Sequence, residues 1–418
     1  MMRRSRFITR VGTLPLARYQ LLATEAIFLF FFLSIWKYKV WYIGTGAAIV
    51  VSAVLAAIPA LKLRGLGWDL TPLIVYFAYL YAVAGKSEYV AEARWWVAAD
   101  SVGILVFTAF WIAARNNPAD AIIGSFVRVS LVMAPLLILT HSPSPDAARY
   151  GGLTLPYIPS ALPFIWTALV SRTRRLAATG ALLVCLVVLL LSRSRAPLFS
   201  SFIVLGLATL LIGHSVRQRI KWATVLLIAM AVVGAILYSI GWTRIILFTF
   251  FARITGKDVL TADVYIRGEP TDPVRVALAN LVRDNIMDAQ PFGAGYMVTL
   301  KLFEKIYAEP MSLHSIYETW AFEGGVICVA LVGVIFLRHL RGLTFVRRFA
   351  LSPDDVMLAQ SLALSTLAVL LMGLFHQMHH GPVLYGLLGL ALGLRARVLA
   401  GHYPVIDRVR SASTPLPA

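Results

Sequence analysis

The chain has 418 residues, of which 59% are apolar and 14% are charged, and its formal net charge is +18. A soluble fold of this length cannot hide so much apolar surface, so composition excludes a soluble globular protein. The positive charge does not indicate nucleic-acid binding, because the Lys and Arg residues stand in short clusters between apolar runs. We therefore predict an all-α polytopic membrane protein.

Apolar runs of span length predict about twelve transmembrane helices, the first of which is retained rather than cleaved as a signal peptide. The predicted spans are residues 21–36, 43–61, 70–85, 97–114, 120–140, 159–171, 176–192, 196–213, 222–240, 316–337, 358–376 and 381–394. They divide the chain into an N-terminal bundle of nine spans (1–240), a loop with short helices (241–315) and a C-terminal part with three spans and a tail (316–418).

The distribution of Lys and Arg between the loops places both termini in the cytoplasm and the long loop outside. That loop nevertheless carries eight basic residues: Arg244, Arg253, Lys257, Arg267, Arg275, Arg283, Lys301 and Lys305. A long segment can cross the membrane together with its charges, but the topology rule does not explain why eight basic residues stand on the non-cytoplasmic side. An anionic partner outside would explain them.

The first candidate site is residues 192–197 (SRSRAP), between the seventh and eighth spans. Ser194 suits an N-cap and Pro197 a first turn, so Arg195 is expected at the N-terminus of the eighth span. Arginine and unpaired backbone N–H groups together suit a phosphate. Contact of Arg193 and Arg195 with lipid head groups is the alternative.

The second candidate lies in the long loop, where residues 271–273 (TDP) predict the start of a helix that ends near Gln290. Apolar residues recur at helical spacing at Val274, Leu278, Leu281, Val282 and Ile286. Arg275 borders this stripe, where a lipid diphosphate would lie, and Arg283 projects toward water. The alternative is an interfacial amphipathic helix with incidental basic residues.

The third candidate is His314, just before the tenth span. Ser315 and Glu318 fit a capping box, which would leave the histidine at the outer interface. Histidine is suited to take a proton near neutral pH, and Glu318 could orient it. The alternative is an ordinary interfacial residue.

Other signals are weaker. Cys185 and Cys328 lie in apolar runs and are predicted to be core residues. Three histidines cluster between the last two spans, at His376, His379 and His380. Because no Cys or carboxylate stands at ligand spacing beside them, we predict no metal. Arg128, inside the fifth span, is expected to pair within the bundle or to snorkel.

Together these motifs resemble the O-antigen ligase and polymerase superfamily of bacterial membrane glycosyltransferases. Residues 194–196 (SRA) are similar to that family's Ser-Arg-Gly or Ser-Arg-Ala motif at the start of a span. Arg275 and residues 291–295 (PFGAG) resemble its loop arginine and Pro-x-x-Gly-x-Gly sequel, here one residue tighter. His314 and Gly325 resemble its His-Asn motif, with serine in place of asparagine.

The resemblance implies transfer of a glycan from an undecaprenyl-diphosphate carrier to a hydroxyl of a glycan or lipid-core acceptor. The reaction would take place at the periplasmic face of the bacterial inner membrane, without metal or other cofactor, and other polysaccharide assembly proteins could be partners. Arg195 and Arg275 would hold the diphosphate, and His314 would accept the proton of the attacking hydroxyl. The expected substrate contacts are Arg193, Arg253, Arg267, Arg283 and Glu318.

Two alternatives remain open on the sequence. A polymerase would extend the repeat unit on its own carrier, whereas a ligase would join the glycan to a lipid core. A transporter or channel that attracts an anionic solute with its outside arginines belongs to another class, and the scarcity of charges inside the spans argues against it.

Overall fold

A computed structural model describes Glu25 and residues 65–140, 157–171, 174–191, 195–212, 216–239, 259–260, 265–266, 273–299, 315–374 and 382–412. The helices are α1 (Leu66–Val83), α2 (Val90–Asp100), α3 (Val102–Asn116), α4 (Ala119–Thr140), α5 (Tyr157–Val170), α6 (Arg175–Leu191), α7 (Arg195–Leu211), α8 (Val216–Ser239), α9 (Pro273–Asn285), α10 (Ile316–Glu318), α11 (Gly325–Phe349), α12 (Pro353–Gly373) and α13 (Pro382–Ala412). A 3₁₀ turn (Ala84–Lys86) follows α1, and a π-helical turn (Thr319–Glu323) follows α10. Two short strands, β1 (Val259–Leu260) and β2 (Tyr265–Ile266), pair antiparallel.

Five helical segments of the described chain are long and apolar enough to cross a bilayer. They are Leu66–Lys86, Val90–Asn116, Gly325–Phe349, Pro353–Gly373 and Val383–Gly401. Three shorter apolar helices accompany them, at Tyr157–Val170, Arg175–Leu189 and Ala196–Leu211. The protein is thus helical and suited to a lipid bilayer, as composition predicts. The predicted spans 21–36 and 43–61 lie outside the described residues, apart from Glu25.

Helices α3 and α13 pack backbone to backbone because glycines line their contact. A Cβ atom on Gly389 would lie under 3.0 Å from the carbonyl oxygen of Phe107, and one on Gly393 equally close to that of Trp111. Residue numbers rise together along both helices, so α3 and α13 run parallel. Close approach through small residues is the usual way to pack helices in lipid, where apolar burial between helices gains little.

Helices α5 and α12 are joined by buried hydroxyl groups. Ser361 and Thr167 share a hydrogen bond of 2.6 Å between their hydroxyls, and Ser365 donates to the carbonyl of Ser160 at 2.6 Å. Pro163 interrupts the α5 hydrogen-bond ladder, and the Ser361 hydroxyl lies 3.4 Å from the Pro163 carbonyl. As residue numbers fall along α5, those of their partners rise along α12, so the two helices are antiparallel.

These contacts define one end of the bundle. Connections of at most four residues join α5, α6 and α7, so consecutive helices run antiparallel and α7 begins where α12 ends. Ile316 packs against Gly373 at the end of α12, and Tyr317 donates to the Leu370 carbonyl at 2.9 Å. We name this the Arg195 end; it comprises the first turns of α5 and α7, the last turns of α1 and α12, and residues 286–299 and 315–324.

The opposite end carries ionic contacts between helices, and we name it the Arg338 end. It comprises the first turn of α1 and the C-terminal halves of α11 and α13. Arg395 Nη1 lies 3.5 Å from Asp69 Oδ1, while Trp111 Nε1 donates to Asp69 Oδ2 at 2.9 Å. Arg397 pairs with Asp355. The buried carboxylate of Asp69 and the partly buried carboxylate of Asp355 thus each face an arginine, which offsets the cost of a charge in a medium of low dielectric constant.

Arg128 of α4 pairs within the bundle, one of the two outcomes expected from the sequence. Its Nε donates to Glu25 Oε1 at 3.0 Å, and its Nη2 donates to the Ser125 hydroxyl at 3.1 Å. Cys185 and Cys328 are both free and buried, which confirms that they are core residues.

The structure corrects several predicted boundaries. The tenth span was predicted at 316–337, but α11 begins only at Gly325. The helix is interrupted between the π-helical turn and this glycine, whose φ is +71°. It continues to Phe349 because arginine favours helices and its long side chain can reach the membrane surface. The fourth span begins earlier, at Val90, with a break at Ser101, and the last helix extends into the tail.

Candidate functional site

Arg195 is the first residue of α7, as the sequence predicts. Ala196, Pro197 and Leu198 of the same turn are buried, so the helix start is embedded in the bundle rather than extended from it. The backbone N–H groups of a first helical turn have no partner within the helix and carry partial positive charge. The Arg195 side chain and all of Arg193 lie outside the described residues.

The predicted loop helix is α9, which begins at Pro273 as expected. It ends at Asn285, five residues before the predicted end, and turns continue to Gln290. Its apolar stripe packs against the segment that precedes α11, where Val282 and Phe322 form a buried pair. Arg275 lies in the first turn of α9, but its side chain and those of Val274 and Leu278 are not among the described parts of the structure.

The turn after α9 completes the hydrogen bonding of a broken helix. The break at Gly325 leaves the last carbonyls of the π turn and the first N–H groups of α11 without helical partners. Ala294 N donates to Phe322 O at 2.8 Å, and Gly295 N donates to Glu323 O at 3.2 Å. On the other side of the break, Ile327 N lies 3.5 Å from the Pro291 carbonyl. The loop and the start of α11 thus form one hydrogen-bonded unit.

Glycine is required at both sides of this contact. A Cβ atom on Gly293 would lie under 3.0 Å from the Glu323 carbonyl, and one on Gly325 equally close to Pro291 O. Both glycines also have positive φ, +79° and +71°, which side chains disfavour. The glycines of two motifs that stand apart in the sequence therefore meet in space.

Side chains reinforce the same unit. Gln290 Nε2 donates to Ala321 O at 3.0 Å, and Val326 N donates to Gln290 Oε1 at 2.7 Å, so one amide bridges the break. Met297 N donates to the buried carboxylate of Glu323 at 3.1 Å. Tyr79 Oη donates to Gly324 O at 2.8 Å, which ties the unit to α1.

The sequence analysis did not identify the side chains that hold this unit together. It also did not identify a buried carboxylate that contacts the same loop. Asp100, at the end of α2, accepts a hydrogen bond from the buried Tyr296 hydroxyl. Asp100 and Glu323 both fall within predicted spans, and that position was the available signal, because acids at membrane depth are functional suspects. Lys86 was also missed; it is exposed, and its Nζ lies 4.8 Å from the Phe292 ring centroid.

Glu318 and Arg283 were predicted as substrate contacts, and the structure brings them near each other. Arg283 is exposed at the end of α9, as predicted, and Glu318 is partly exposed. Burial raises the pKa of the Glu318 carboxyl, and the positive charge of Arg283 partly offsets that rise. The predicted capping box does not form, because the Ser315 side chain makes no cap hydrogen bond. The Ser315 carbonyl accepts the first helical hydrogen bond, from Thr319 N at 3.2 Å.

We expect Arg283→Ala to raise the pKa of Glu318 further, because the carboxylate then loses its nearby cation. At a given pH within its titration range, more of the carboxyl would be protonated. Infrared titration of the carboxyl band, assigned by difference from Glu318→Gln, measures the change. Arg347→Ala, an exposed arginine in the last turn of α11, is the control and should leave the pKa unchanged. An unchanged pKa in Arg283→Ala would contradict the docking of α9 against this segment.

The remaining predicted residues lie in parts of the chain that the structure does not describe. Arg253, Arg267 and His314 lie outside the described residues, although Ser315, which follows the histidine in sequence, lies at the Arg195 end. The three clustered histidines, His376, His379 and His380, also lie outside. Among the described residues, no group of three His, Cys, Asp or Glu side chains could hold a metal ion.

The Arg195 end thus joins a helix N-terminus, a docked loop helix with two arginines and a hydrogen-bonded loop–helix unit. Such an arrangement can bind an anion at a membrane surface and hold a second reactant beside it. Comparison with protein-family models and with curated proteins gives no match.

Proposed function

We propose that the protein transfers a glycan from an undecaprenyl-diphosphate carrier to an acceptor hydroxyl, as a polysaccharide repeat-unit polymerase or an O-antigen ligase. In this proposal the chain has about twelve spans in a bacterial inner membrane and both termini are cytoplasmic. The Arg195 end faces the periplasm, where the loop over 241–315 contributes to the site.

One observation carries the proposal. The turn that follows the Arg275 helix and the segment that follows His314 share backbone hydrogen bonds, and both lie at the end where Arg195 begins α7. The start of α7, residues 290–295 and residues 315–325, which adjoin or contain the three motifs, therefore lie at one end of the bundle, and this supports the proposal. Gathering of distant segments is what a site that holds two substrates requires.

The chemistry assigned to these residues is a direct displacement. The acceptor oxygen bonds to the anomeric carbon as the bond from that carbon to the diphosphate oxygen breaks, which inverts the configuration. His314 takes the hydroxyl proton, and the carrier diphosphate leaves with the bonding electron pair. Arg195 and Arg275 stabilise the charge that grows on the diphosphate, a role suited to guanidinium groups. No metal or other cofactor takes part.

The test is to supply the purified protein with labelled carrier-linked repeat units alone. A ladder of longer glycans on the carrier would support a polymerase. Product that forms only when a lipid-core acceptor is added would support a ligase. No product under either condition, together with flux of an anionic solute into proteoliposomes, would replace the proposal with a transporter.

A further inference from the structure

At the Arg338 end, a narrow cleft, too small to admit an acyl chain, lies between α1, α3, α11 and α13. Its walls are largely apolar, formed by Pro72, Leu73, Phe107, Ile335, Leu388 and Leu392. Asp69 and Arg338 supply the polar part of the lining. We infer that an anionic phospholipid binds at the mouth of this cleft, with the phosphate at Arg338 and an acyl chain against the exposed apolar side chains beside it, such as Trp68 and Leu337.

The cleft has two arginines, Arg338 and Arg395, beside the single carboxylate of Asp69. Asp69 already accepts from Trp111 Nε1 at 2.9 Å and lies 3.5 Å from Arg395 Nη1, so its charge is balanced by one arginine. Arg338 makes no ion pair with a carboxylate in the described part of the chain. Arg338 and Arg395 both act electrostatically on the single carboxylate of Asp69, so one positive charge is in excess, and it favours an anion from outside the protein.

The position of Arg338 is set by a proline. The Trp68 carbonyl would normally accept the N–H of the residue four positions on, but that residue is Pro72, which has none. Arg338 Nη1 donates to this free carbonyl at 2.7 Å. The bond holds the guanidinium at the mouth of the cleft and leaves its remaining N–H groups available for phosphate oxygens.

The depth of this group suits a lipid phosphate. Arg338 and Arg395 each lie thirteen residues after the start of their helix, Gly325 and Pro382. At about 1.5 Å per residue both stand roughly 20 Å from the Arg195 end, within reach of the far boundary of a hydrocarbon layer about 30 Å thick. Trp68 is 77% exposed at the same level, as expected of an aromatic residue at the membrane interface.

The experiment measures lipid binding to the full-length protein in detergent micelles. Phosphatidylglycerol or phosphatidylcholine with the same acyl chains is added, and bound lipid is counted by native mass spectrometry. Wild-type protein should bind phosphatidylglycerol more tightly. Arg338→Gln should weaken that binding about five-fold without changing phosphatidylcholine binding, and Arg338→Lys should retain most of it. Arg347→Gln, an exposed position on the same helix, is the matched control and should have no effect.

Three results would overturn the inference. Equal binding of both lipids by the wild type would show no selection for the anion. Equal weakening by Arg338→Gln and Arg347→Gln would indicate a diffuse charge effect. Displacement of phosphatidylglycerol by inorganic phosphate at the same molar excess would indicate a free-phosphate site without a role for the apolar side chains beside Arg338. A thermal midpoint measured in zwitterionic micelles confirms that each variant is folded before its binding is compared.

Discussion

Arg275→Ala is expected to lower the rate of glycan transfer by at least about 100-fold, because a preorganised cation would no longer stabilise the leaving diphosphate. Arg195→Ala should cause a loss of the same order. His314→Ala removes the base that accepts the hydroxyl proton, and a positioned base contributes about 100-fold or more. Initial rates with labelled carrier-linked repeats measure all three losses.

Arg217→Ala is the matched control for these variants. Arg217 is an exposed arginine in the first turn of α8, which a short connection places at the end opposite Arg195. Its removal should leave the transfer rate within a factor of about two, since it contacts no reacting group. A normal rate in one of the three test variants would remove that residue from the site. Normal rates in all three would refute the proposed chemistry.

Gly293→Ala is expected to destabilise the protein by about 3 kcal/mol or more, since two costs combine. The added methyl group would approach the Glu323 carbonyl within 3.0 Å, and the residue would have to keep a φ of +79°. The nearest atoms belong to the backbone of Glu323 and Gly324, so relief requires the turn that contains Gly293 to separate from the π-helical turn. Unfolding in mixed micelles measures the loss, and transfer activity should fall with it.

Gly333→Ala provides the comparison for that variant. Gly333 lies within α11, and a Cβ atom there would meet no other atom within 4 Å. Alanine should therefore stabilise the helix by about 1 kcal/mol through its higher helix propensity. If Gly293→Ala were as stable as Gly333→Ala, the loop could not be docked against the start of α11 as described.

Much of the fold was predictable because its signals are local. Apolar runs correctly predicted α4 to within one residue and α6 to within one residue at each end. Residues 271–273 correctly predicted the start of α9 at Pro273, and 194–197 predicted the start of α7 at Arg195. At α7 and α9 a proline in the first turn, Pro197 or Pro273, marks the boundary because it needs no backbone N–H donor there.

The candidate site was only partly predictable, for a different reason. The motifs containing Arg195, Arg275 and Gly325 drew attention to segments that do lie at one end of the bundle. The groups that join those segments, such as Gln290 and Glu323, have no distinctive local pattern. Gln290 is important because it satisfies Ala321 O and Val326 N at once, and these atoms lie more than thirty residues away.

The sequence by itself determined that this is a helical protein for a lipid environment, because hydropathy is a sum over neighbouring residues. Only the tertiary structure decided that the helix before Gly325 breaks and that residues 290–295 dock into the gap. A continuous helix through 316–337 satisfies local rules equally well. The break is stable because backbone groups from a distant turn replace the lost helical hydrogen bonds, and that exchange depends on which segments the packing brings together.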